Sequence, residues 1–198
     1  MKADSRFALA AFMLGASFVF VMCSKKEEMK TAADSTATAM SSESAEGDRG
    51  AASASFGSAT VSINYGRPQL KGRDMLSQAT DGMVWRMGMN EATEIKTDAD
   101  LKFGDTVIPK GSYSLWMKKI GPGQWHLVFN KKTGVWGTEH SPADDFAETP
   151  LTTSTNPESA ERFTVELSAA NETTGALKAT WGMAVLSAEF TVSGGGGI

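Results

Sequence analysis

From residue 58 to residue 191 apolar side chains recur at every second position, and few other patterns constrain a chain as tightly. Period two sends successive side chains to opposite faces of a strand, so one face can be buried while the other meets water. Ala59, Val61, Ile63 and Tyr65 alternate with Thr60, Ser62, Asn64 and Gly66, until Pro68 removes a ladder donor. Tyr113, Leu115 and Met117 alternate with Ser112, Ser114 and Trp116, and Trp125, Leu127 and Phe129 with Gln124, His126 and Val128. Gly121-Pro122-Gly123 between those two runs predicts a hairpin turn. Phe163, Val165 and Leu167 continue the pattern, as do Leu177, Ala179 and Trp181, then Ala184, Leu186, Ala188 and Phe190. Shorter strands are predicted at 94–97, 101–103 and 106–108, and only residues 73–78 admit a short helix. The expected fold is all-β, an antiparallel β-sandwich or partly open barrel of about 7–9 strands.

Composition removes several function classes. The chain has 198 residues with 19 Lys+Arg against 23 Asp+Glu, a formal charge of −4, which argues against a nucleic-acid partner. A single cysteine excludes an internal disulfide framework and a Cys-based zinc site, so the domain must be held by its apolar core. A domain of about 140 residues buries enough surface to do so. No cofactor and no metal are expected.

Residues 1–22 carry Lys2 and Arg6 against Asp4 and then run uncharged from Phe7 to Met22, the pattern of a secretory signal peptide. Cys23 follows directly and precedes Ser24-Lys25-Lys26-Glu27-Glu28. This resembles the lipobox of bacterial lipoproteins, in which the cysteine is acylated, although Met22 stands where Gly, Ala or Ser is usual. Acyl chains contribute roughly 0.8 kcal/mol per buried methylene, and two or three anchor stably. Residues 23–54 are then expected to be the acylated Cys23 and a disordered linker. No aromatic occurs between 24 and 54, so little apolar surface offsets the chain entropy. Such a tether reaches about 30 Å. Residues 55–193 form the β-domain and 194–198 a flexible tail. The expected location is the cell envelope of a Gram-negative bacterium, lipid-anchored at the outer membrane or on the periplasmic side.

Four motifs occur in order: Tyr65-Gly66-Arg67-Pro68-x-x-Lys71-Gly72-Arg73, Val84-Trp85-Arg86-x-Gly88-x-Asn90-Glu91-Ala92-Thr93, Pro109-x-Gly111-x-Tyr113-Ser114-Leu115, and Trp125-x-x-Val128-Phe129-Asn130-Lys131 with Trp136-Gly137. Together they resemble the bacterial domain-of-unknown-function family DUF2911, over about residues 55–192. The segment 75–83 departs from the family. The resemblance implies an exported β-rich protein and names no activity.

Polar side chains concentrate in Tyr65, Arg67, Arg86, Asn90, Glu91 and Asn130. Arg67 shares the parity of the inward residues of its strand, and a buried cation needs a partner. Glu91 is the nearest carboxylate in the motifs, so Arg67 and Arg86 are expected to meet it, as a structural clamp or as holders of an anionic ligand. Trp85, Trp116 and Trp136 are candidates for an aromatic ligand surface, whereas Trp125 and Trp181 lie on core stripes. His126 faces away from its apolar stripe. His140 stands beside Glu139, Asp144 and Asp145, a set read as a solvated acidic loop ahead of a metal site. No Gly-x-Ser-x-Gly elbow occurs.

The leading expectation is therefore a membrane-tethered envelope lipoprotein whose β-sandwich binds a small molecule, glycan or protein without catalysis. The alternatives are a secreted hydrolase or other enzyme acting at Arg67, Arg86 and Glu91 or at His140, and a structural protein of the envelope.

Overall fold

The computed structural model describes residues 49–193. They form ten strands and one short 3-10 turn, Pro142–Asp144. The strands are β1 Arg49–Phe56, β2 Ala59–Gly66, β3 Val84–Trp85, β4 Thr93–Thr97, β5 Leu101–Phe103, β6 Thr106–Ile108, β7 Gly111–Gly121, β8 Gln124–Asn130, β9 Asp145–Ala169 and β10 Thr174–Val192. All pair antiparallel in a single sheet of order β1-β2-β4-β7-β8-β9-β10-β5-β6, with β3 on the edge of β7. The sheet is not closed into a barrel, yet strands far apart in that order share one core. Phe56 on β1 meets Phe190 on β10 edge to face at 5.5 Å, and Tyr65 on β2 meets Phe163 on β9 at 5.7 Å. Trp85 stacks on Trp181 at 5.4 Å. Aromatic pairs of this kind contribute about 0.5–1.5 kcal/mol beyond their burial. The sheet therefore curls over its apolar face, in the sense of the partly open barrel.

Four elements differ from the sequence expectation. Residues 49–54, assigned above to the linker, form an edge strand instead. Their period-two pattern is written in small residues: Gly50, Ala52, Ala54 and Phe56 face inward, and a glycine and two alanines carry too little hydrophobicity to stand out. Smallness is required at Gly50, where an added Cβ would lie 2.8 Å from both the Tyr65 ring and Arg67 Cδ.

The two apolar runs at 177–190 are one strand, β10, whose register shifts around Gly182 at φ 59°, and that bulge splits the alternation. β9 extends through Pro150 and Pro157 in a largely exposed polar stretch with no alternation to read. Residues 73–78 make a turn, not a helix, with Asp74 accepting from the Ser77 backbone N–H. Just upstream, Pro68, Leu70 and Lys71 attach to β9: Phe163 N donates to the Pro68 carbonyl, and Leu70 N to the Glu161 carbonyl.

Candidate functional site

The outer face of β7 and β8 is not a simple wet surface. Ser114, Trp116 and Val128 project outward and are buried all the same, because loops 86–92 and 131–144 fold over them. Ala92, Trp116, Val128 and Val135 make a second small core, with Val84 at its edge. Trp116 is 1% exposed and its Nε1 donates to Ser114 Oγ at 2.9 Å. It is therefore no part of an aromatic surface. The period-two pattern correctly turned it away from the main core, but only the loops decide what covers it. Trp85 also leaves the candidate surface, packing against Trp181 and Phe163.

Loop 131–144 begins and ends at one point, where Lys131 N donates to the Asp144 carbonyl at 2.9 Å, so it is a compact Ω-type loop. Asn130, 2% exposed, ties the neck. Its Nδ2 donates to the Ser141 carbonyl at 2.9 Å and to Asp145 Oδ1 at 2.8 Å, while its Oδ1 accepts from Lys132 N. Asp145 Oδ1 also lies 2.9 Å from His140 Nε2, and the imidazole rests on the Trp116 ring. His140 thus serves as a wedge between the loop and the second core.

Loop 86–92 is held against unfavourable backbone torsions. Met87 at φ 54° and Asn90 at φ 61° both occupy the left-handed region, which for a residue like Met costs on the order of 1–3 kcal/mol. Thr93 Oγ1 donates to the Met87 carbonyl at 2.7 Å. Gly66 and Gly88 let two backbones touch: a Cβ at Gly66 would strike the Met89 backbone, and one at Gly88 would lie 2.9 Å from the Gly66 oxygen. Arg86 lies across Gly137, where a Cβ would collide with the arginine stem. Gly137 N donates to the Asn90 carbonyl, and Ala92 N to the Val135 carbonyl, so the two loops are fastened to each other. Gly66, Gly88, Gly137 and Arg86 of the motifs therefore maintain a loop geometry.

That geometry raises Glu91 directly opposite Trp136 in an antiparallel bridge. The ion pair of Glu91 is with Arg49, Nη1 to Oε2 at 2.7 Å, and not with Arg67 or Arg86 as expected above. Arg49 also donates through Nε to Asn64 Oδ1 at 2.7 Å and through Nη2 to the same oxygen. Arg67 instead lies along Gly50 beside Tyr65, on the other side of β1 from the Glu91 pair. Sequence reasoning misses Arg49 because residues 23–54 read as a linker. Its signal was its place one residue before the inward Gly50-Ala52-Ala54-Phe56 series. Of the three candidate tryptophans only Trp136, 48% exposed, stands out into solvent, while Trp85 is half-buried.

A second polar group lies farther along the same sheet face, where adjacent strands present Lys118, His126 and Glu148. Lys118 Nζ is 2.8 Å from Glu148 Oε1 and His126 Nδ1 is 3.2 Å from Glu148 Oε2. Partial burial pushes the Glu148 carboxyl up, but hydrogen bonds and charge from Lys118 and His126 outweigh it and hold the carboxyl below its ordinary 4.5. A carboxyl depressed on folding contributes stability above its unfolded value, and the contribution is lost as pH falls through the folded value. Unfolding measured by urea between about pH 7 and about pH 3 should therefore show a loss below 4.5 that is smaller in Glu148→Gln. Equal slopes in both proteins would assign the acid loss to other carboxylates. Among the described residues no group of three His, Cys, Asp or Glu side chains is arranged to hold a metal ion.

A family model described as a protein of unknown function (DUF2911) matches residues 48–190. The chain belongs to this family. The match begins one residue before β1, so the DUF2911 domain includes the small-residue edge strand that the motifs alone left out. No curated protein and no solved structure matches the chain. Cys23 and the signal-like segment lie outside the described residues, and among the described residues no helix is long and apolar enough to cross a membrane.

Proposed function

We propose that this protein is a membrane-tethered envelope lipoprotein whose DUF2911 domain binds a ligand or partner without catalysis. The anchoring half of this reading rests on the basic start, the uncharged run to Met22 and Cys23 immediately after it. The binding half rests on one observation, a half-exposed tryptophan on a fixed scaffold. Trp136 N donates to Glu139 Oε2 at 2.8 Å, Glu139 N donates to the Trp136 carbonyl at 2.9 Å, and Glu91 pairs across from it. An exposed indole contributes nothing to the core, whereas a large rigid aromatic surface gives binding energy with little ordering cost. Two loops, one of them strained, hold it out.

A benzophenone-bearing amino acid at position 136 of the full chain, which keeps an aromatic surface there, tests both halves in the cell that makes it. The expected result is a discrete adduct from position 136, none from the equally exposed Val107, and release of the chain from the membrane fraction in Cys23→Ser. Identical labelling from both positions would remove the binding reading. Unchanged fractionation of Cys23→Ser would remove the anchor.

A further inference from the structure

We propose that Trp136, Glu91, Arg49 and Asn64 form a subsite for one ring of a neutral carbohydrate. The inference rests on the binding reading above and specifies its ligand class. Residues directly opposed in an antiparallel pair have Cβ atoms about 4.5–5.5 Å apart on the same side. The Glu91 and Trp136 side chains therefore leave the backbone next to each other on the same side. Arg49 joins that carboxylate to Asn64, so an aromatic plate is bordered by a row of carboxylate, guanidinium and carboxamide.

The chemistry of this row selects among ligands. Glu91 and Arg49 compensate each other at 2.7 Å, so the row has no net charge. An anion would have to compete with Glu91 for Arg49, and a cation with Arg49 for Glu91. A neutral polyol can use what the pair leaves over: lone pairs on the carboxylate, further N–H groups on the guanidinium, and the Asn64 amide N–H groups. A pyranose ring combines an apolar C–H face, which lies flat on an indole, with hydroxyls around its edge that reach such a row. A purely apolar peptide side chain would use the plate and leave the row idle. The scaffold is formed before any ligand arrives, which lowers the ordering cost of binding.

The test uses the full-length protein in detergent, with cellotetraose and chitotetraose as neutral probes and tetragalacturonate and inorganic phosphate as charged ones. Binding is read by tryptophan fluorescence and calorimetry. At least one neutral tetramer should bind with little dependence on salt. Trp136→Ala should weaken it at least about tenfold without moving the thermal midpoint, because the side chain is half exposed. Glu91→Gln leaves Arg49 uncompensated, and should weaken the neutral tetramer while improving the galacturonate.

Preference of the parent protein for galacturonate or phosphate, lost in Trp136→Ala, would overturn the ligand class and leave the binding site standing. Binding of a neutral tetramer that survives Trp136→Ala would overturn the subsite. Silence of all four probes would overturn the carbohydrate assignment. If position 136 still gives its crosslink in the cell, the partner is then a protein and the broader binding reading stands.

Discussion

Gly66→Ala is expected to destabilise the domain by about 3 kcal/mol, a fall in Tm of roughly 10 °C. A Cβ at this position meets the Met89 backbone, with the amide nitrogen at 2.6 Å, and backbone cannot rotate aside as a side chain can. Met89 cannot retreat either. It lies between two left-handed residues, Met87 and Asn90, in a loop pinned by Thr93 to the Met87 carbonyl and by Asn90 to Gly137. Gly57→Ala is the control. Gly57 has φ 59° and an added Cβ there would meet nothing within 4 Å, so only torsional strain of about 1 kcal/mol is expected. Chemical denaturation of both variants decides the matter, and similar losses would show that the contact between the β2 end and loop 86–92 gives way easily.

Trp116→Ala should cost about 3–5 kcal/mol, the range for deleting a large buried aromatic side chain. The indole is the centre of the second core, and its removal also takes away the donor to Ser114 and the plate under His140. The loss should have an address. Amide exchange should accelerate in loops 86–92 and 131–144 while the inner face of β2, β4 and β7, packed in the main core, stays slow. Carbohydrate or crosslinking signals at Trp136 should fall with it, because the plate is held out by loops whose underside is Trp116, Ala92 and Val135. Uniform acceleration across the sheet would mean that the two cores open together and the outer loops have no stability of their own.

These two residues show where sequence reasoning succeeds and where it stops. The alternation of Tyr113, Leu115 and Met117 with Ser114 and Trp116 was enough to orient β7, and the short runs at 94–97, 101–103 and 106–108 fell within β4, β5 and β6. Alternation is a local property, readable wherever one face is apolar. It fails at β1, where the first inward residues are small, Gly50 because Tyr65 and Arg67 occupy the space, and along β9, where both faces are wet for much of the length.

The pairing of charges was less legible still. Glu91 and Arg67 stand in neighbouring motifs, yet Arg49 reaches Glu91, since β1 runs antiparallel to β2 and its first residue lies opposite Gly66. That placement follows from register, which is set by the full length of a strand pair and by nothing near Glu91.

What the sequence by itself determined is therefore the class of this protein: an all-β chain of the DUF2911 family, held by an apolar core. Period and motif are carried by residues close together in the chain. Only the tertiary structure decided that Trp116 is core and Trp136 is surface, that Arg49 belongs to the domain, and that Glu91 and Asn64 share it. Exposure and ion pairing depend on which loop closes over which face, and those contacts join residues as far apart as Arg49 and Glu91, or Trp116 and His140, which no local pattern encodes.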